Sequence, residues 1–381
     1  MRGRTYGQIV HDGDPWLVVR ADKGAVLVVP GAVSAVVPGA VPAVVPGAGP
    51  ADAFAGGSAA GSGTPPGEAP VDEPRRVPLA RDGLAPADWA PEGRIVPTVG
   101  DLVELTPAGD VLAGVLPRRS ALVRDSAGRT SRTQVLAANV DVVLVVEHLD
   151  PEPDLGRVER LLTLAWRSGA RPVVVLTKAD LVPRAGYLTD EVAAVAIGAD
   201  VHAVSAAAGE GLDPLRALLG PGVTFVLVGP SGAGKSTLVN ALAGRDIAAT
   251  GGLRADGRGR HTTTHRELVR LDGGALLIDT PGIRGVGLVA DDDALDTAFA
   301  DVAALAEGCR FADCSHTGEP GCAVLAALET GELAERRFDS WRRLRREAAF
   351  QARRADARLA AEEKARWRQI AQQRRRTTLR P

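Results

Sequence analysis

Lysine and aromatic residues are scarce in this chain of 381 residues. Lys and Arg together number 45, yet only four are lysines, and aromatics make up 3%. Cores must therefore be built mainly from Val, Leu and Ala. No apolar run is long enough to span a bilayer, and the amino terminus lacks the layout of a signal peptide. We expect a cytoplasmic, monomeric protein of two or three domains that does not contact a membrane.

Cysteine is also rare, and all three thiols fall in one short segment. Cys309, Cys314 and Cys322 surround His316 in the spacing C-x4-C-x-H-x5-C. Three thiolates and one imidazole form a complete tetrahedral set for Zn²⁺, and disulfides are uncommon in the cytosol. The spacing predicts one structural zinc per chain, since four protein ligands leave no open position. The alternative is a chance cluster.

Charge is unevenly distributed along the chain. The net charge is −2, but residues 336–381 hold 16 Arg and Lys against five Asp and Glu. This tail is helix-rich in composition and is a candidate for binding RNA phosphates. The alternative is an arginine-rich helix face that only contacts solvent.

The first part of the chain reads as short strands separated by a long insertion. Strand-like stretches occur at residues 8–29 and again at 94–115, with glycine-containing turns, which predicts a small β-barrel. Between them, from about residue 30 to 75, Val-Val-Pro-Gly-Ala repeats give way to a Gly/Ala/Ser/Pro-rich stretch. Proline and glycine at this density oppose helices and central strands, so we expect a flexible insertion.

A glycine-rich loop carries the clearest motif. Residues 229–237 fit G-x-x-x-x-G-K-[ST], with a β-branched run before them and a helical pattern after them. The loop N–H groups would face phosphates, Lys235 would reach the β- and γ-phosphates, and Ser236 would bind Mg²⁺. The alternative is an ordinary strand-to-helix turn. The candidate GTP-binding residues here are Gly229, Pro230, Ser231, Gly232, Ala233, Gly234, Lys235, Ser236 and Thr237.

A second motif follows an apolar strand predicted at residues 172–177. Residues 177–180 read Thr-Lys-Ala-Asp, the [NT]-K-x-D form in which the Asp accepts hydrogen bonds from guanine N1 and its exocyclic amine. Adenine cannot offer that pattern, so Asp180 would select guanine. The alternative is a strand end with a solvated Lys and Asp. The candidate residues are Thr177, Lys178, Ala179 and Asp180, with Ser205 and Ala206 ending the next strand behind the base.

Two further segments lie where switch loops would be. Residues 279–282 read Asp-Thr-Pro-Gly, in which Asp279 would hold Mg²⁺ through water and the Gly282 N–H would contact the γ-phosphate. Residues 257–264 would supply a threonine to Mg²⁺, for which we choose Thr263; the alternative is an ordinary loop.

Hydrolysis of GTP also needs a residue that positions the attacking water. Ile283 follows D-x-x-G and cannot hydrogen-bond. His261 is then the candidate catalytic residue together with Thr263, although this histidine could instead cap the loop or touch rRNA.

The order of the motifs is unusual. In ordinary GTPases the guanine-selecting tetrapeptide lies downstream of D-x-x-G, whereas here Asp180 precedes both the phosphate loop and Asp279. The only lysine after Gly282 is Lys364, in a context that does not complete the pattern. The sequence therefore predicts a circularly permuted domain, which is feasible because the site depends on which strands adjoin.

Together these motifs resemble the RsgA (YjeQ) family of circularly permuted GTPases over about residues 96–338. The resemblance also uses Leu-Pro-Arg-Arg-Ser at 116–120 and Ala-Asn-Val-Asp at 138–141. It implies a multidomain α/β protein with an amino-terminal OB-type β-barrel (1–133), a circularly permuted P-loop GTPase domain (134–300) and a zinc-binding helical domain (301–381). It further implies slow hydrolysis of GTP to GDP, stimulated by the small ribosomal subunit during its late maturation.

Two features depart from the family pattern. Thr177 stands where the family usually has Asn, and the proline-rich insertion is foreign to the pattern. Two other functions stay open: a permuted GTPase of large-subunit assembly, and an RNA-binding module that holds nucleotide as a structural ligand. The predicted barrel and zinc cluster favour the small subunit.

Overall fold

The amino-terminal strands form one mixed sheet. A computed structural model of the chain describes residues 5–9, 17–21, 25–28, 75–76, 97–105, 112–125, 133–248, 267–279 and 291–355. The first six strands pair in the order β4-β2-β3-β1-β5-β6, with β1 parallel to β3 and the other neighbours antiparallel. They are β1 (Thr5–Ile9), β2 (Leu17–Ala21), β3 (Ala25–Val28), β4 (Arg75–Arg76), β5 (Leu102–Leu105) and β6 (Leu112–Val115). Five of them lie within a few residues of the predicted strands.

A hairpin connects this sheet to the next domain. Strands β7 (Ala121–Asp125) and β8 (Thr133–Ala138) pair antiparallel, with a register shift at Leu122/Val123. The sequence does not predict this hairpin, because its strands are short and depend on pairing with each other.

A six-stranded, mostly parallel sheet forms the centre of the molecule. Its order is β11-β10-β9-β12-β14-β13, and only β13 runs antiparallel to its neighbour. The strands are β9 (Val142–His148), β10 (Arg171–Thr177), β11 (Asp200–Ala203), β12 (Thr224–Val228), β13 (Glu267–Arg270) and β14 (Leu276–Asp279); the helices between them are α1 (Leu155–Arg167), α2 (Ala185–Val195), α3 (Asp213–Leu218) and α4 (Lys235–Ala243).

Helices cover both faces of this sheet. The strands β9 and β10 are apolar at nearly every position because both faces are buried. One core cluster packs α1 and α2 against the sheet, and a second packs α3 and α4 around Phe225. The helix α1 begins with a side-chain cap: the Asp154 carboxylate accepts a hydrogen bond from the Arg157 N–H at 3.0 Å.

The sheet adjacency confirms the permuted order. Strands β9, β10 and β11 come first in the chain, yet β9 pairs with β12 and joins them to the strands that follow. The carboxyl ends of β10 and β12 therefore lie at the same edge, with β9 between them.

Within residues 291–355, four helices follow the sheet: α5 (Asp292–Ala298), α6 (Ala300–Glu307), α7 (Ala323–Thr330) and α8 (Glu335–Ala355). Their core includes Phe299, Phe338 and Trp341, and the rings of Phe338 and Trp341 stack at 5.6 Å. Among the described helices, none combines the length and apolarity needed to cross a bilayer.

Buried charges join α8 to the sheet domain. Arg337, which is 3% exposed, donates to Glu159 of α1 at 2.9 Å and makes two bonds to Asp301, at 3.0 and 2.9 Å. Its guanidinium also lies 4.1 Å from the centre of the Phe299 ring. A second, bidentate pair joins Arg160 to Glu347 at 2.7 and 2.6 Å. Helix α8 is thus held along one face of α1.

Candidate nucleotide site and metal centre

The phosphate loop lies where β12 ends and α4 begins. Gly229 lies so close to β9 that an added Cβ would be 2.1 Å from the Val146 carbonyl oxygen, so no other residue fits. Gly234 caps α4 with φ of 78°, a left-handed conformation that favours glycine. The Lys235 ammonium donates to the carbonyls of Gly229 (2.9 Å) and Pro230 (2.5 Å). The start of α4 and this ammonium together provide positive charge at one place.

The tetrapeptide 177–180, predicted to select guanine, begins at the last residue of β10. Lys178 adopts a left-handed conformation (φ 62°), and residues 179–181 form a single 3₁₀ turn. Within the described part of the chain, the exposed carboxylate of Asp180 makes no hydrogen bond or ion pair. It is therefore available as an acceptor. The Ala179 N–H donates to the Val204 carbonyl at 3.2 Å, which brings the Ser205–Ala206 segment beside the turn.

Thr177 joins this turn to the phosphate loop. Its hydroxyl lies 2.7 Å from the Ala233 carbonyl oxygen and 3.2 Å from that of Glu147. An added Cβ at Gly234 would lie 3.3 Å from the same hydroxyl. The threonine that replaces the family's usual asparagine therefore contacts the phosphate loop directly.

A buried ion pair lies beneath both loops, and the sequence analysis missed it. Glu147, at the end of β9, is 0% exposed and accepts two bonds from Arg157 of α1, at 2.7 and 3.0 Å. The sequence could have indicated this pair, because the carboxylate of Glu147 directly follows the apolar run 142–146. A carboxylate in a buried strand needs a partner of opposite charge. Arg157 thus links α1 to the edge of the sheet that carries the candidate nucleotide site.

Of the predicted switch residues, the structure describes only Asp279. Asp279 is the last residue of β14, the strand that neighbours β12, so its backbone ends at the same edge as the phosphate loop. The predicted residues His261, Thr263 and Gly282 lie outside the described residues.

All four predicted metal ligands lie within the described residues. Cys309, Cys314, His316 and Cys322 each bring one ligand atom to a common place, and these atoms lie within 4.8 Å of one another. The Cys309 and Cys322 sulfurs are 3.8 Å apart, and His316 Nδ1 lies 3.6 and 3.3 Å from them. A tetrahedral Zn²⁺ with its usual bond lengths would separate two sulfurs by about 3.8 Å and a sulfur from a nitrogen by about 3.6 Å. The three distances among Cys309, Cys322 and His316 therefore fit the ion, and the Cys314 sulfur lies within 4.8 Å of the other three ligand atoms.

Backbone N–H groups at the start of α7 favour thiolates. Burial raises the pKa of Cys309, but the Val324 and Ala323 N–H groups and the neighbouring thiols outweigh it and lower the pKa below its usual value. The pKa of Cys314 is raised to about 11, first by burial and then by the adjacent thiols. Ionisation of Cys309 is thus favoured and that of Cys314 opposed, and a bound cation would stabilise the thiolate form of both.

The motifs at 116–120 and 138–141 connect the sheets. Asp101 is fully buried and accepts bonds from Arg118 at 2.7 and 2.8 Å. Burial raises the pKa of Asp101, and the guanidinium of Arg118 opposes that shift. Asn139, with φ of 53°, donates to the Gly100 carbonyl at 2.9 Å. These residues fix the hairpin and the strand β5 against the central sheet.

The fold and these loops define a P-loop domain of the GTPase class in circularly permuted order. The pattern of the RsgA GTPase family matches residues 115–289. The small ribosomal subunit biogenesis GTPase RsgA of Streptomyces avermitilis is 56% identical over 280 residues, covering 72% of this chain and 75% of its own. The chain belongs to the RsgA GTPase family.

Two solved structures resemble this one. YjeQ from Thermotoga maritima is 28% identical, with a TM-score of 0.53 over 73% of this chain and 91% of its own. YloQ, described as a circularly permuted GTPase, is 22% identical, with a TM-score of 0.55 over 91% of this chain and 95% of its own. The likeness to YloQ shows the fold alone.

Proposed function

We propose that this protein binds GTP and hydrolyses it to GDP and phosphate while bound to the small ribosomal subunit, during late maturation of that subunit. The observation that carries the nucleotide assignment is the joining of the phosphate loop to the Asp180 turn through Thr177. Phosphates would lie at the start of α4 and guanine beside Asp180, one on each side of β9. The names of the relatives support the ribosomal part.

The test is GTP hydrolysis by the full chain with and without purified small subunits, with large subunits as the control. We expect slow intrinsic hydrolysis and a large stimulation by small subunits alone. Equal rates with and without small subunits would contradict the ribosomal role, whereas equal affinity for ATP and GTP would contradict the guanine assignment.

The proposed cofactors are one structural Zn²⁺ and the Mg²⁺ that accompanies GTP. Zn²⁺ would be held by the three thiolates and His316, and it would stabilise the fold of the segment without taking part in chemistry. Mg²⁺ would be held by the Ser236 hydroxyl and Thr263, with Asp279 acting through water. The backbone N–H groups of the loop would face the phosphates; Pro230 has none and would only shape the loop.

Stimulation needs a group that positions water, and we assign that role to His261. It lies in the segment that GTP and Mg²⁺ would order, and an imidazole hydrogen-bonds water near neutral pH. His261→Ala should keep GTP and small-subunit binding and lose most of the stimulated rate, whereas Ile283→Ala should change that rate little. Full stimulation of His261→Ala would show that another group positions the water.

The ribosomal contacts would involve rRNA phosphates at both ends of the chain. We assign residues 1–133 to an OB-type barrel with an insertion at about 30–75, residues 134–300 to the GTPase domain and residues 301–381 to the zinc domain. The protein would act as a cytoplasmic monomer. Removing residues 356–381 should weaken subunit binding and flatten its salt dependence by roughly one unit of slope per lost phosphate contact. An unchanged slope would exclude residues 356–381 from the interface.

A further inference from the structure

A carboxylate that is not a metal ligand organises the loop around His316. The Glu319 side chain accepts bonds from the N–H groups of Ser315 (3.1 Å), Thr317 (2.8 Å) and Gly318 (3.2 Å). It also accepts a hydrogen bond from the Ser315 hydroxyl. Four donors from three residues, one before His316 and two after it, therefore converge on one carboxylate.

The backbone between these donors is in a conformation that a non-glycine residue rarely adopts. His316 has φ of 56°, in the left-handed region. Ser315 and Thr317 flank it directly, so the bonds to Glu319 hold the chain on both sides of the unfavourable residue. Such a conformation persists only where surrounding bonds determine it.

The left-handed turn determines where the imidazole lies. His316 is 5% exposed, and its Nδ1 is 3.3 Å from the Cys322 sulfur. Its ring also lies 5.6 Å from the Trp341 ring of α8. The backbone of this ligand is thus held by Glu319, and its ring by α8.

We propose that Glu319 is a positioning residue for the metal centre: its carboxylate holds the left-handed turn that delivers His316 Nδ1 to the three thiolates. This inference rests on the proposed Zn²⁺ site. The Ser315 hydroxyl and the Thr317 N–H are the main groups that lower the pKa of Glu319 to about 2, so the side chain is ionised at neutral pH and acts as an acceptor only.

The first measurement is the release of zinc from the full chain to a chromophoric chelator. Partners that orient a ligand are typically worth about 10- to 100-fold in metal affinity, so Glu319→Ala should release zinc about 10- to 100-fold faster than the parent. Glu319→Gln should fall between them, because its amide keeps one acceptor oxygen but turns the other position into a donor facing N–H groups. Glu332→Ala, an exposed glutamate of the same module, is the matched control.

The second measurement distinguishes positioning from general loosening of the loop. With Co²⁺ in place of zinc, the visible spectrum reports three sulfurs and one nitrogen. In Glu319→Ala the thiolate-to-cobalt bands should remain while the ligand-field bands shift as the imidazole is lost. Ser315→Ala removes one of the four donors and should give a smaller shift in the same direction. It replaces Glu319→Ala in this measurement if that variant does not fold.

These measurements distinguish a failure of the Glu319 role from a failure of the proposed zinc site. If the parent binds zinc and both Glu319 variants and Ser315→Ala match it in release rate and cobalt spectrum, Glu319 is only a loop residue and the inference is wrong. If the parent purified without chelator holds no zinc, the proposed metal site itself is wrong. GDP affinity should be the same in every variant, because the nucleotide loops lie on the central sheet.

Discussion

The phosphate loop and the metal centre both lie at the start of a helix, but they are built from different parts of the chain. At α4 the expected donors are backbone N–H groups, and the loop is defined by glycines that allow close approach to β9. At α7 the ligands are side chains, and the Leu325 N–H donates to the Cys322 sulfur at 3.5 Å. A site of backbone donors suits a ligand that binds and leaves, whereas four protein ligands suit an ion that stays.

The largest effect should come from removing one metal ligand. Cys322→Ser should abolish tight zinc binding and lower the melting temperature of the helical module, because a structural zinc provides roughly 10 kcal/mol or more in small domains. Metal analysis and calorimetry measure the two effects. GDP binding should persist, and a parallel loss of GDP affinity would mean that the two sites are not independent.

The next effect should come from the buried contact between the two regions. Arg337→Met removes the cation from between Glu159 and Asp301. Because Arg336 still pairs with Glu159 at 2.9 Å, the loss should lie toward the lower end of the about 3–5 kcal/mol that breaking a buried pair costs. Urea unfolding measures the loss. Arg342→Met is the control on the same helix, where an exposed arginine should matter by at most about 1 kcal/mol. Similar losses in both variants would mean that Arg337 is not the main link.

A third change tests the guanine side of the nucleotide site. Asp180→Asn presents a donor where guanine also donates, so the preference for GTP over ATP should fall by about 100-fold or more. Competition binding with both nucleotides measures it. Asp190→Asn, an exposed aspartate on α2, should leave the preference unchanged; if it does not, the loss in Asp180→Asn reflects charge alone.

The smallest effect concerns the bond between the two nucleotide loops. Thr177→Val keeps the shape of the side chain and removes the hydroxyl that contacts Ala233, which should weaken GDP binding by about 1 kcal/mol, or roughly fivefold. Thr177→Ser should bind nearly as the parent does. Thr189→Val, which loses a similar bond to the Ala185 carbonyl on α2, is the control. No change in Thr177→Val would mean that the backbone alone holds the loops together.

The structural elements with local sequence signals were predicted best. The strands before the phosphate loop and before Asp180 were predicted to within a residue or two. Their signals are local, because apolar runs, glycines and caps act within a few residues. The strand β13 and the hairpin β7–β8 were missed, since short strands are stabilised by partners that the local sequence does not reveal.

The sequence alone determined the chemical groups of this protein: a glycine loop with its lysine, an acceptor for guanine, and three thiols with one imidazole. Their spacing is set within short segments, so it can be read without a structure. Only the tertiary structure decided which charges meet, such as Glu147 with Arg157 and Glu159 with Arg337. In the second pair the partners are 178 residues apart in the chain. They meet because a carboxylate buried without solvent needs a cation, and α8 brings both Arg336 and Arg337 to Glu159.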